Sequence, residues 1–173
     1  MNIKKEILKG HSKERALLIA NYVGAKQDRF TELIQLFFES PYRLIQRVTW
    51  PIELCLKKHP KLIDPHLGNM VKRLKSPVPV ALKRNTLRLW QYLDIPKPLK
   101  GNVADICFGL LSGTKESIAV KVFSMTVLAN LTKEIPELCR ELKLLLEGQY
   151  PYGSAGFKSR TRKVIQTLKK IDI

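Results

Sequence analysis

Between Ser40 and Leu111 the hydrophobic and polar positions run through one pattern twice, SPYRLIQRVTWPIELCLKKHPKLIDPHLGNMVKRLK and then SPVPVALKRNTLRLWQYLDIPKPLKGNVADICFGLL. Ser40-Pro41 recurs as Ser76-Pro77, and the mid-repeat Pro60 recurs as Pro96, each 36 residues further on. Apolar residues fall at helical intervals on both sides of the proline break. Each copy therefore reads as two helices that bury their stripes against one another and against the next pair. In the first copy Leu44, Ile45, Val48, Ile52 and Leu56 form one stripe with Pro51 inside it, which predicts a single kinked helix. His59-Pro60 ends that helix. Ser40-Pro41, Asp64-Pro65 and Ser76-Pro77 read as a cap followed by proline at the first helical position, where the missing N–H costs nothing. The helix after Asp64 turns Leu67, Met70, Val71 and Leu74 inward and Asn69, Lys72 and Arg73 outward.

The same rhythm extends in both directions. Residues 2–9 read as a lead-in helix and Ser12 as the cap of a helix burying Ala16, Leu17, Ile19, Ala20 and Val23. After Gly24, Phe30, Leu33, Ile34, Phe37 and Phe38 complete a first hairpin. In the second copy Val80, Leu82, Leu87, Leu89, Trp90 and Leu93 are the candidate core, followed by a helix over 98–111 with Leu99, Val103, Ile106, Cys107 and Leu110. The stretch SIAVKVFSMTVLANL is apolar nearly all round, as a helix sandwiched between neighbours would be. Ile135, Leu138, Cys139, Leu142, Leu145 and Leu146 stripe the next helix, which Gly148 is expected to stop. The closing helix, over 156–171, points Phe157, Val164, Ile165, Leu168 and Ile171 inward. No strand alternation occurs. The pattern predicts one all-α domain over 1–173, a superhelical stack of about five helical hairpins with the last incomplete. Its repeats fall at 10–39, 40–75, 76–113 and 114–148, closed by the capping helix.

Charge changes this picture by asking what the stack meets. Lys and Arg number 31 against 15 Asp and Glu, and 57–100 alone holds 11 basic residues against 2 acidic ones. Such a surplus favours partners bearing phosphates or carboxylates. Asn69, Lys72, Arg73 and Lys75, continued by Lys97 and Lys100, would form a phosphate-tracking stripe if stacked, or else a solvated face. Lys158, Arg160, Arg162 and Lys163 give the closing helix a second basic face, which also suits the polar exterior of a terminal repeat. Trp50 and Trp90 keep helical spacing, as core residues do.

Candidate chemistry is sparse. Cys55, Cys107 and Cys139 are odd in number, far apart and set in apolar helices, which reads as free thiols in a reducing cytoplasm. Cys55 and His59 supply only half a zinc site, so no metal and no cofactor is expected. His11, His59 and His66 lack partners in any Ser/His/Asp order. GSAGFKSR at 153–160 lacks the Lys-Ser/Thr of a phosphate loop and the Met-Pro and Asn-Pro of fumarase-type lyases, and the chain is too short for the long bundle of such a lyase. The amino terminus makes a poor export signal, and no run reaches membrane-span length. The expectation is a cytoplasmic monomer.

The repeat length, the prolines at 41, 60, 77, 96 and 136, and a basic residue midway along each first helix (Arg15, Arg47, Lys83 or Arg84, Lys121, Arg160) resemble the HEAT and armadillo class of α-α superhelices. In that class the basic residue often bonds to the adjoining repeat, although Ser40-Pro41 and Ser76-Pro77 replace the acidic residue usual in the inter-repeat turn. The resemblance implies a concave surface lined by second helices and a scaffold that holds another macromolecule, a protein or a nucleic acid. A branch of HEAT-like proteins, the bacterial alkyl-purine DNA glycosylases, is similar in being basic and wholly helical. Such an enzyme needs a carboxylate beside aromatic residues, for which Asp105, flanked by Asn102, is the nearest candidate; no motif carries over residue by residue.

Overall fold

The computed structural model describes residues 1–171, and among them ten α-helices carry the chain with no strand. They are α1 (Ile3–Leu8), α2 (Lys13–Val23), α3 (Gln27–Glu39), α4 (Tyr42–Lys58), α5 (Asp64–Leu74), α6 (Val80–Trp90), α7 (Lys97–Ser112), α8 (Ile118–Leu131), α9 (Leu138–Gln149) and α10 (Ala155–Leu168), with 3-10 turns at Pro60–Ile63 and Tyr150–Tyr152. They divide into two compact units, Met1–Leu89 and a second from Trp90 onward.

In the first unit the caps follow from side-chain chemistry. Asn2 Oδ1 accepts from the Lys5 N–H at 2.9 Å to start α1, and Ser12 Oγ accepts from the Arg15 N–H at 3.3 Å to start α2. Each such bond satisfies one orphan donor and contributes about 1 kcal/mol. Gly24, at φ 52°, ends α2 in a conformation that would strain a side chain, and its N–H donates to the Ala20 carbonyl. α4 packs against α1, α2 and α3. It runs unbroken through Pro51 for 17 residues, so the stripe outweighs the roughly 3 kcal/mol cost of a proline in a helix interior. Ala16, Ile19 and Val23 of α2 are buried as expected, but Leu17 is exposed because it falls one position off the stripe.

Two helix starts differ from expectation, both at prolines. Ser40 closes α3 instead of opening α4. Pro41 holds it in the extended region, its N–H donates to the Leu36 carbonyl, and Pro41 itself takes the cap position with no side-chain bond. Asp64-Pro65 does open α5 as expected, but Asp64 is its first helical residue and makes no side-chain cap bond, because the 3-10 turn of Pro60–Ile63 leads straight into the helix. After Ser76-Pro77 no helix begins until Val80. Pro77 and Pro79 each bar the residue before them from helical backbone, so the first turn forms only where the Lys83 N–H reaches the Pro79 carbonyl. Val80 is consequently exposed.

His66, on α5, is held by α3. Gln27 Nε2 and Thr31 Oγ1 both lie 3.2 Å from His66 Nε2, and the Gln27 amide also donates to the Leu62 carbonyl at 3.0 Å. An amide nitrogen only donates, so His66 Nε2 must accept, which requires the neutral ring. Burial pushes its pKa below the usual histidine value. The unfolded chain therefore takes up this proton first, and the contribution of neutral His66 is complete above pH of about 6.5 and fades as pH falls through the lower folded value. Urea midpoints measured across this range should fall on acidification, and His66→Gln should remove part of that slope.

In the second unit α8 packs on α7, α9 and α10. That explains why it is apolar nearly all round, with Val120, Met125, Val127, Leu128 and Leu131 buried. Ser154 Oγ accepts from the Phe157 N–H at 3.2 Å and starts α10, which buries Phe157, Thr161, Val164 and Leu168. Thr161 was hidden from the pattern by its polarity; its hydroxyl lies 3.9 Å from Met125 Sδ. Gly148 does not stop α9. It keeps ordinary helical backbone, and the helix runs on to Gln149 and into the Tyr150–Tyr152 turn. α10 ends at Leu168, and Ile165 and Ile171 are half-buried.

The repeat seen in the sequence returns as hydrogen bonds. In the first unit Cys55 Sγ donates to the Ala20 carbonyl, Gln27 to Leu62, Arg47 Nη1 to the Leu8 carbonyl at 3.3 Å, and Arg88 to Glu53. In the second, Asn130 Nδ2 donates to the Gln91 carbonyl at 2.9 Å, Gln149 Nε2 to the Leu111 carbonyl at 3.0 Å, Arg160 to Thr126, and Lys100 to Glu134. Partners in every pair are 34 to 39 residues apart. Polar side chains thus tie segments that lie about one repeat apart in the chain.

Candidate functional site

The residues of the first expected basic face divide between the two units. Asn69 and Lys72 are exposed on α5, and Lys75 is exposed at its end. Arg73 is instead half-buried, its guanidinium 4.5 Å from the centre of the Phe38 ring. Lys97 is exposed at the start of α7, whereas Lys100 is 8 % exposed and ion-paired with Glu134, so the second unit turns one of these two cations inward. The sequence pattern hid this pairing because Glu134 lies beyond α8, in the turn that precedes α9. On α10, Lys163 is exposed; Arg162 donates to the Tyr150 hydroxyl at 2.9 Å, Lys158 lies over the Tyr150 ring, and Arg160 reaches Thr126 Oγ1 at 3.4 Å. Asp105 is exposed on α7 and Asn102 is half-buried. Trp90 is 1 % exposed, which leaves no ring face for a base, and Trp50 belongs to the first unit.

A cleft of about 330 Å³ in the first unit gathers residues that were weighed separately in the sequence. It is lined by His11 ahead of α2, by Gln46 and Trp50 on α4, and by Arg84, Asn85 and Arg88 on α6. Gln46 and Trp50 are four residues apart, as are Arg84 and Arg88, so each pair shares a helix face. The fork between Arg88 and Glu53 joins the two helices, with Nε 2.6 Å from Oε1 and Nη2 2.9 Å from Oε2. His11 packs its ring 5.1 Å from Trp50 at a 55° tilt and so fixes the indole. Asn85 is buried, and one of its amide hydrogens goes to the Ala81 carbonyl at 2.8 Å.

The basic positions midway along the first helices are bonded inside the fold with one remainder, and two of them, Arg47 and Arg160, reach a partner about one repeat away. Arg15 pairs with Glu6, Arg47 bonds the Leu8 carbonyl, Lys121 bonds Gln149, Arg160 bonds Thr126, and Lys83 is engaged as well. Arg84, half-buried, makes no hydrogen bond or ion pair among the described residues. The packing of the helices uses its neighbour and leaves this guanidinium over. The shared offset of 38 residues between Gln46/Trp50 and Arg84/Arg88 was the available signal, masked because neither pair falls on an apolar stripe.

Burial raises the Cys55 thiol to about 11 and pushes Cys107 up still further; with Cys139 they are free and buried. Among the described residues no cluster of His, Cys, Asp or Glu is placed to hold a metal ion, and no helix is long and apolar enough to cross a membrane.

A family model described as a HEAT repeat domain matches residues 3–168. No curated protein and no solved structure matches the chain.

Proposed function

Because the chain belongs to the HEAT repeat family, we propose that it works without chemistry of its own, as an interaction module that holds an anionic macromolecular partner. HEAT repeats generally mediate protein interactions as scaffolds. The observation that carries the finer reading is the surplus of cations: residues 1–89 hold 18 basic side chains against 7 acidic ones, and Lys72 on α5 faces solvent. Inward polar groups already serve the bonds between helices, so this outward charge is what remains to meet a partner. On this reading the module is a cytoplasmic monomer, in keeping with three buried free thiols. Lys97 on α7 and Lys163 on α10 belong to the same proposal.

The test is anisotropy with labelled polyglutamate and labelled duplex DNA at low and at physiological salt. Binding should weaken steeply with salt, because displaced counterions drive it. Lys72→Glu and Lys163→Glu should each weaken it severalfold. If neither polyanion binds at low salt, the anionic partner is wrong. Release of base from alkylated DNA, lost in Asp105→Asn, would overturn the non-enzymatic reading.

A further inference from the structure

We propose that the cleft between α4 and α6 is a site for one nucleotide unit, with the phosphate on Arg84 and the base against Trp50. This deepens the preceding reading by naming the anion, and it rests on that reading only in requiring a negatively charged partner. Four features of the cleft support it.

The first is the unspent cation. A half-buried guanidinium gives up part of its hydration, and proteins ordinarily repay that with a carboxylate or carbonyl. The other basic positions of this kind are repaid inside the fold, and Arg84 is not. A phosphate supplies the missing acceptor in the bidentate geometry that guanidinium favours. The second is selectivity by charge. Arg88 is already forked to Glu53, so it walls the cleft and adds little net charge, and no acidic side chain lines the cavity to repel an anion.

The third is the aromatic wall. Trp50 is half-buried in the same cavity, and its ring is held by His11. Indole stacks on any nucleobase, and the gain is largest when the ring is already immobilised. The fourth is the amide pair. Gln46 stands one helical turn from Trp50, and Asn85 keeps a second N–H and its carbonyl oxygen beyond the bond to Ala81, so donors and acceptors suited to a base edge flank the stacking surface. The volume lies at the small end of ligand pockets and suits a single nucleotide, not a larger cofactor.

A nucleotide unit can come from a free mononucleotide or from a single strand, and the experiment separates them. Calorimetry with inorganic phosphate, AMP and a single-stranded oligonucleotide gives affinity, while the Trp50 indole N–H resonance, assigned with Trp50→Phe, gives location. AMP or the oligonucleotide should bind and shift that resonance, and phosphate alone should bind more weakly by about tenfold or more. Binding of AMP assigns a free nucleotide; binding of the oligonucleotide alone assigns a strand. Arg84→Ala should weaken the interaction about tenfold or more with unchanged thermal stability, since Arg84 bonds to nothing described in the fold. Lys72→Glu should leave AMP binding unchanged, which separates this site from the outer basic face. The proposal is overturned if neither nucleotide probe shifts the Trp50 resonance, if phosphate binds as tightly as AMP, or if Arg84→Ala binds like the parent.

Discussion

Leu142→Asp abolishes cooperative unfolding at neutral pH, while Leu144→Asp, two residues further on, changes stability by about 0.5 kcal/mol or less. Both substitutions have the same chemistry and lie on α9; only the face differs. Leu142 is 0 % exposed and Leu144 is 62 % exposed. A carboxylate at 142 has no cation to meet in an apolar stripe shared with Cys139 and Leu146. It must either stay charged without water or take up a proton, and the combined loss of the leucine and burial of the acid exceeds about 4 kcal/mol, a large share of the stability of a domain this size. Lys143→Glu should also be close to neutral. Urea denaturation followed by circular dichroism decides the matter, and a sloping, uncooperative trace for Leu144→Asp would mean that the buried face of α9 is misassigned.

Phe37→Ala should cost about 3 to 5 kcal/mol, the usual loss for a fully enclosed phenyl group. Phe37 is 0 % exposed on α3, beside Phe30, Leu33 and Ile34 in the same stripe, and its ring lies 5.6 Å from Phe38. The neighbouring Phe38→Ala should cost clearly less. Phe38 is only half-buried, and much of its role is the exposed-side contact with the Arg73 guanidinium, a contact of about 0.5 to 1 kcal/mol. Equal losses from the two variants in chemical denaturation would contradict this division of labour.

The features legible in the sequence were those set by periodicity. Val48, Ile52 and Leu56 carry α4 across Pro51 because burying that stripe outweighs one missing backbone bond, and the uniform apolarity of α8 followed from its being packed on three helices. What the sequence concealed depended on neighbours in space. A proline's effect on the residue before it moved the starts of α4 and α6, so Ser40 and Ser76 looked like caps and are not. Lys100 looked like surface because its partner Glu134 sits a repeat away. The cleft stayed hidden for the same reason: His11, Trp50 and Arg84 come from three separate stretches, and none carries a local motif. The single useful clue was arithmetic, the same i, i+4 spacing recurring after 38 residues.

The bonds that join residues 34 to 39 positions apart also constrain how such a chain can change length over evolutionary time. Tandem duplication of one segment imports a donor for each acceptor it exposes, so growth by whole modules needs no new polar chemistry. A one-residue insertion inside α4 is a different matter. It would rotate Glu53 by about 100° relative to Arg47, and the two ends of that helix could no longer address Leu8 and Arg88 together. Tolerated insertions should therefore collect in the linkers, such as the stretch between α5 and α6, and spare the helices.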